Sequence, residues 1–154
     1  MTASFEPLRD AERDWITSQL QVLDGLMQAY GPGDTGKPLN AAALDRLFAS
    51  WLPQSGQDAD FINAVINGVG IGFGSLLVDA GFDWVIATDE YGTDLAVLAL
   101  PGTADVLVYP ANFVAKRFER RETGFMVRAY DEMVGKVRHL SGSATKRPFW
   151  KRGG

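Results

Sequence analysis

The 154-residue sequence predicts an α+β fold: helices packed on a small antiparallel sheet of three or more meandering strands, with a glycine-rich helix at the centre. Three observations carry that expectation. Apolar residues recur at helical spacing in five separate segments. Between the third and fourth of these lie three short runs rich in β-formers, joined by tight turns. A composition of 46% apolar and 22% charged residues is that of an ordinary folded chain. The length suits one domain, expected over residues 1–140 and followed by a basic flexible tail at 141–154.

The first helix is expected over about residues 7–30. Ser4 stands as its N-cap and Pro7 in its first turn, with Glu6, Asp10, Glu12 and Asp14 at its positive end. Trp15, Leu20, Leu23, Leu26 and Met27 mark its apolar side, and Gly31-Pro32-Gly33 stops it. Asn40 caps a second helix over 41–52, whose face is Leu44, Leu47, Phe48, Trp51 and Leu52.

The third helix opens near Asp58 and runs to about Ala80, with Gly81 ending it. Phe61, Val65, Val69, Phe73 and Leu76 form its apolar column. Gly70 and Gly74 complete the column headed by Ile62 and Ile66, and Gly68 and Gly72 line another. Each of these four glycines costs the helix about 1 kcal/mol against alanine. Close approach of a neighbouring backbone is the simplest compensation.

Residues 83–88 and 93–100 form a hairpin around Asp89-Glu90-Tyr91-Gly92, with Gly92 supplying a positive φ. Residues 105–109 are a third strand. Pro110 opens a helix over 111–121, and a last helix follows over 125–140.

The residues from Asn63 to about Lys136 resemble a bacterial family, the domain of unknown function 3806. The likeness rests on the helix Asn63-Ala64-Val65-Ile66-Asn67-Gly68-Val69-Gly70-Ile71-Gly72-Phe73-Gly74, on Trp84-Val85, and on Thr88-Asp89-Glu90-Tyr91-Gly92-Thr93-Asp94-Leu95-Ala96-Val97. It ends with Pro110, Val114, Ala115, Lys116 and Arg117. The resemblance implies a small bacterial α+β domain and carries over no catalytic residue.

The absence of cysteine excludes disulfides, thiolate zinc sites and cysteine nucleophiles. The N-terminus has neither a cationic start nor an apolar run, and the apolar stretch 65–78 falls short of the roughly 20 residues of a membrane span. A cytoplasmic protein without membrane contact is the expectation.

Two glycine motifs are incomplete. Gly31-Pro32-Gly33-Asp34-Thr35-Gly36-Lys37 has the spacing of a phosphate loop, but Pro38 replaces the magnesium-holding hydroxyl and no strand precedes it. The glycines at 68, 70, 72 and 74 miss the dinucleotide spacing, because Ile71, Phe73 and Ser75 stand where a third glycine is needed. His139 is the sole histidine and sits at a helix end without a nucleophile motif. No catalytic residue, metal or cofactor is therefore expected, and the balance leans away from an enzyme.

Charge is unevenly spread. Residues 1–115 carry four basic and fifteen acidic side chains, a net of −11; residues 116–154 carry eleven and four, a net of +7. The expected outcome is that the basic helices pack across the acidic part and neutralise it, which weighs against nucleic acid. Lys116, Arg117, Arg120 and Arg121 wrap one side of a helix, and Phe149 and Trp150 interrupt a basic tail.

The reading that emerges is a non-enzymatic protein-interaction or accessory domain. Its candidate contact residues are Asp89, Glu90, Tyr91 and Asp94 on the hairpin loop, with Lys116, Arg117 and Trp150 in the basic third. One alternative is a small-ligand pocket or enzyme site between the glycine helix and the sheet, using Asp89, Glu90, Asp94 or Lys116. The other is weak nucleic-acid binding through the basic third, Arg120 and Arg121 included.

Overall fold

The computed structural model describes residues 3–31 and 38–145, with side chains through 142. Four strands form one antiparallel sheet: β1 (Ser4–Glu6), β2 (Asp83–Asp89), β3 (Gly92–Ala99) and β4 (Val106–Val108), adjacent in that order. Five helices complete the α+β domain: α1 (Asp10–Tyr30), α2 (Ala41–Trp51), α3 (Ala59–Asp79), α4 (Pro110–Glu119) and α5 (Met126–Thr145). A short 3-10 turn, Leu52–Gln54, follows α2.

The N-terminus departs from the sequence expectation. Ser4 is not a helix cap; it lies in β1, pairing with Thr88 of β2, while Phe5 pairs with Ala87. An open edge of β2 is a row of unpaired N–H and C=O groups, and three residues suffice to cover part of it. Pro7, which lacks an N–H, follows the strand. Helix α1 then starts at Asp10, where Glu12 accepts the Arg9 backbone N–H at 3.1 Å and its Nε–H at 2.9 Å. Those bonds hold the Glu12 carboxyl below its ordinary range.

The other helix ends follow local chemistry. Asn40 accepts the Ala43 N–H at 2.9 Å and Asp58 accepts that of Phe61 at 3.2 Å. Gly81 ends α3 with φ +114; its N–H bonds the Val78 carbonyl and the Phe82 N–H reaches back to Leu77, both at 3.0 Å. Helix α4 closes in the same way at Arg121 instead of glycine, with φ +56. Helix α5 extends five residues past its expected end, to Thr145. Residues 146–154, with Phe149 and Trp150, and residues 32–37, which make up most of the phosphate-loop mimic, lie outside the described residues.

The main core joins the helices to one sheet face. Leu44, Leu47, Phe48, Val65, Val69 and Phe73 are fully buried within it, and Val97, Ala99, Val106 and Val108 supply the sheet side. Rings run in sequence from Trp51 through Phe48, Phe125 and Phe113 to Phe73, with centroids 5.2 to 5.6 Å apart. The opposite sheet face carries a smaller cluster of Val85, Ala87, Ala96 and Leu98, bordered by Phe5, Leu107 and Tyr109.

Helix α3 is the packing hub, and both of its glycine columns are filled. A Cβ at Gly70 would stand 2.7 Å from the Ala111 Cα, and one at Gly74 would meet the Trp84 ring at 2.5 Å and Pro110 at 2.9 Å. On the other side, Gly72 faces Leu23 at 2.5 Å and Gly68 faces Leu26 at 3.4 Å. The whole helix spans 21 residues, and an 18-residue window of it has a mean hydropathy of 1.8, so by length and composition it could cross a membrane, contrary to the estimate from 65–78 alone. Over half of that window is buried inside the domain, which accounts for its apolarity.

Candidate functional site

The hairpin end of the sheet is built by local rules. Asp89 pairs with Gly92, leaving Glu90 and Tyr91 as a two-residue loop. The Asp89 Oδ1 accepts the Tyr91 N–H at 2.8 Å, and Gly92 takes the positive φ of +134. The Thr88 and Thr93 hydroxyls bond across the strands at 2.9 Å. Asp94 accepts the Leu95 N–H at 2.8 Å.

Alternation along β4 places Leu107 and Tyr109 on the sheet face of Ala87 and Ala96. Two alanines leave room for the Tyr109 ring, whose hydroxyl donates to Asp89 Oδ2 at 3.3 Å. Burial and the neighbouring Asp89 and Asp94 charges push the Tyr109 phenol above its ordinary value. Pro110 then starts α4, bringing Asn112 to the same end of the molecule.

These elements enclose an open groove of about 300 Å³ lined by Asp89, Tyr91, Gly92, Thr93, Asp94, Tyr109 and Asn112. Tyr91 is 91% exposed. Among the described residues no cation pairs with Asp89 or Asp94. Such a surface offers two carboxylates without a described cationic partner and two phenol rings, the chemistry that receives ammonium or guanidinium groups.

Of the residues singled out in the sequence, Asp89, Tyr91 and Asp94 come together here. Glu90 is exposed on the loop and does not line the groove. Lys116 is exposed on α4, and Arg117 lies elsewhere, its guanidinium 4.4 Å from the Phe113 ring and its Nε 3.6 Å from Glu122. Trp150 is outside the described residues. Tyr109 and Asn112 were missed. Alternation could have put Tyr109 on the face of Leu107, but its reach to Asp89 depends on a strand register that the sequence does not display.

Among the described residues, neighbouring elements occupy both flanks of the glycine helix. Ala111, Pro110 and Trp84 occupy one flank, and Leu23, Leu39 and Leu44 the other. The carboxylates gather at the hairpin instead, which removes the basis for a ligand pocket beside Gly70 and Gly74.

The basic third is partly committed within the chain. Arg121 donates to the Ser55 hydroxyl and the Leu52 carbonyl, each at 3.1 Å, and Arg120 lies 3.8 Å from Glu122. Yet no described ion pair joins residues 1–115 to those beyond 115; each described pair is local. Direct ion pairing between the acidic part and the basic third is thus absent among the described residues; the two parts meet instead where Asp45 accepts the Met126 and Val127 N–H groups.

No curated protein and no solved structure matches the chain. A family model, described as a domain of unknown function (DUF3806), matches residues 53–130, beginning before Asn63 and ending before Lys136. That segment contains α3, the hairpin, β4 and α4, and thus every residue lining the groove. By this match over half of its length, the chain belongs to the DUF3806 family.

Proposed function

We propose that this domain is a protein-interaction module that docks a cationic segment of a partner protein at the hairpin end of its sheet. One observation carries the reading: the groove holds Asp89 and Asp94 without a described cationic partner, beside an almost fully exposed Tyr91. Lysine or arginine side chains satisfy carboxylates and lie against phenol faces, and a shallow groove suits a chain segment better than an enclosed small molecule. The internal bonds of Arg121 and the stacking of Arg117 favour this end of the molecule over the basic third.

The test is binding of the full chain to arrayed peptides of basic, neutral and acidic composition. Basic peptides are expected to be retained, and retention should fall with added salt. The double variant Asp89→Asn, Asp94→Asn should lose it, while each amide can still accept the turn hydrogen bond. Equal retention of all peptide classes, or an undiminished double variant, overturns the proposal.

A further inference from the structure

Beside the hairpin groove runs a length of β3 that has no neighbouring strand. A two-residue hairpin closes on a pair that exchanges both of its backbone hydrogen bonds, here Asp89 and Gly92. Alternation then turns the backbone groups of Gly92, Asp94, Ala96 and Leu98 toward β2, and those of Thr93, Leu95, Val97 and Ala99 away from it. Strand β4 meets the last two, Val97 opposite Val108 and Ala99 opposite Val106. It goes no further, because Pro110 has no N–H to continue the ladder and opens α4. Thr93 and Leu95 are left facing outward, and among the described residues no strand pairs with that side of them.

Local geometry marks the gap. Asp94 Oδ1 accepts the outward Leu95 N–H at 2.8 Å, standing in for the carbonyl of a missing neighbour. The groove takes Gly92, Thr93 and Asp94 from this edge, and Tyr109 and Asn112 from the turn of β4 into α4. It therefore lies on the path that β4 would follow if it ran on. Gly92, Thr93 and Asp94 are exposed, so the edge is open to another chain. A row of unpaired N–H and C=O groups is a template for a further strand.

We infer that the partner binds by strand addition, as an extended stretch of about four residues laid along Thr93 and Leu95 in line with β4. This rests on the docking of a cationic segment proposed above and specifies the form that segment takes. Main-chain hydrogen bonds to the open edge hold the strand, and charge selects it. Asp89, Asp94 and Tyr109 share one sheet face with Ala87 and Ala96. Every second side chain of the incoming strand meets those acids and that phenol, and is lysine or arginine. The side chains between them fall on the face of Thr93 and half-buried Leu95, which suits β-branched residues. The arriving carbonyl takes over the Leu95 N–H and releases Asp94 Oδ1 to a cation.

The test uses the full chain and a short acetylated peptide of alternating lysine and valine, with NMR following both binding and amide exchange. Two further peptides carry backbone N-methyl groups, one on its lysines and the other on its valines. Only one of those sets of N–H groups can face β3. One methylated peptide should therefore bind roughly tenfold or more weakly than the parent, while the other keeps its affinity. The Thr93 amide should exchange fast in the free chain and slow roughly tenfold or more at peptide saturation. Equal affinities of the two methylated peptides, or a Thr93 amide no slower with peptide bound, overturn strand addition and leave the docking of a cationic segment standing. Slow Thr93 exchange in the free chain, the sign of an edge already covered by a second copy or by the chain itself, overturns it too. Failure of basic peptides to bind at all removes both readings.

Discussion

Asp45 of α2 caps helix α5 at Met126. Its two carboxylate oxygens accept the Met126 and Val127 N–H groups at 2.8 and 3.0 Å. These are free donors at a positive helix end, supplied with an acceptor from a distant part of the chain. Asp45→Ala is expected to destabilise the domain by about 1–2 kcal/mol. Asp45→Asn should cost less, since one amide oxygen can still accept. Urea unfolding of both variants checks the order.

Two neighbouring glycines of α3 should respond with opposite signs. At Gly70 a methyl would press on the Ala111 backbone at 2.7 Å, which cannot rotate away. Gly70→Ala is expected to destabilise by about 1–3 kcal/mol. At Gly68 the nearest atoms stand at 3.4 to 3.7 Å, ordinary contact. Gly68→Ala should therefore leave stability unchanged or raise it by up to about 1 kcal/mol. Thermal melts of the pair decide.

Arg121 sets backbone strain against tertiary hydrogen bonds. Its φ of +56 costs a non-glycine residue about 1 kcal/mol, while its guanidinium holds Ser55 and Leu52. Arg121→Ala keeps the strain and loses the bonds, so it is expected to destabilise by about 1–2 kcal/mol. Arg121→Gly relieves the strain and should be the milder variant. Denaturant midpoints of the two rank them.

Tyr109 gives a spectroscopic reading of the groove. Its phenol is held above the ordinary 10.0, first by burial and then by the Asp89 charge. The folded chain thus keeps this proton more tightly than the unfolded one. The associated stability is complete below about pH 10 and is lost as pH rises through the folded value. Absorbance titration, with Tyr109→Phe as the blank, should show a late-titrating tyrosine. Asp89→Asn should bring it down only part of the way, because burial remains.

What the sequence displays follows the range of the interactions. Asn40, Asp58, Gly81 and Gly92 act on residues within a few positions, and their roles as caps and turns can be read directly. The apolar column of α3 is equally plain, since its period is its structure. Strand β1 is hidden because three residues carry no periodic signal and Ser4 has a competing local reading as a cap. The Asp45 cap and the Tyr109–Asp89 bond are hidden for another reason: each depends on how remote segments dock. The groove was half visible, its acids standing in one loop while Tyr109 and Asn112 arrive from β4 and α4.

The pairing of Ser4 with Thr88 also constrains how the chain is made. The partner of strand β1 is synthesised only after three helices have followed. At roughly 5–20 residues per second that is a wait on the order of ten seconds. The sheet cannot begin to close until β2 has been made. The β1–β2 seam then becomes available before β3 and β4 follow, and the brevity of β1 limits what a nascent neighbour could pair with in the interval.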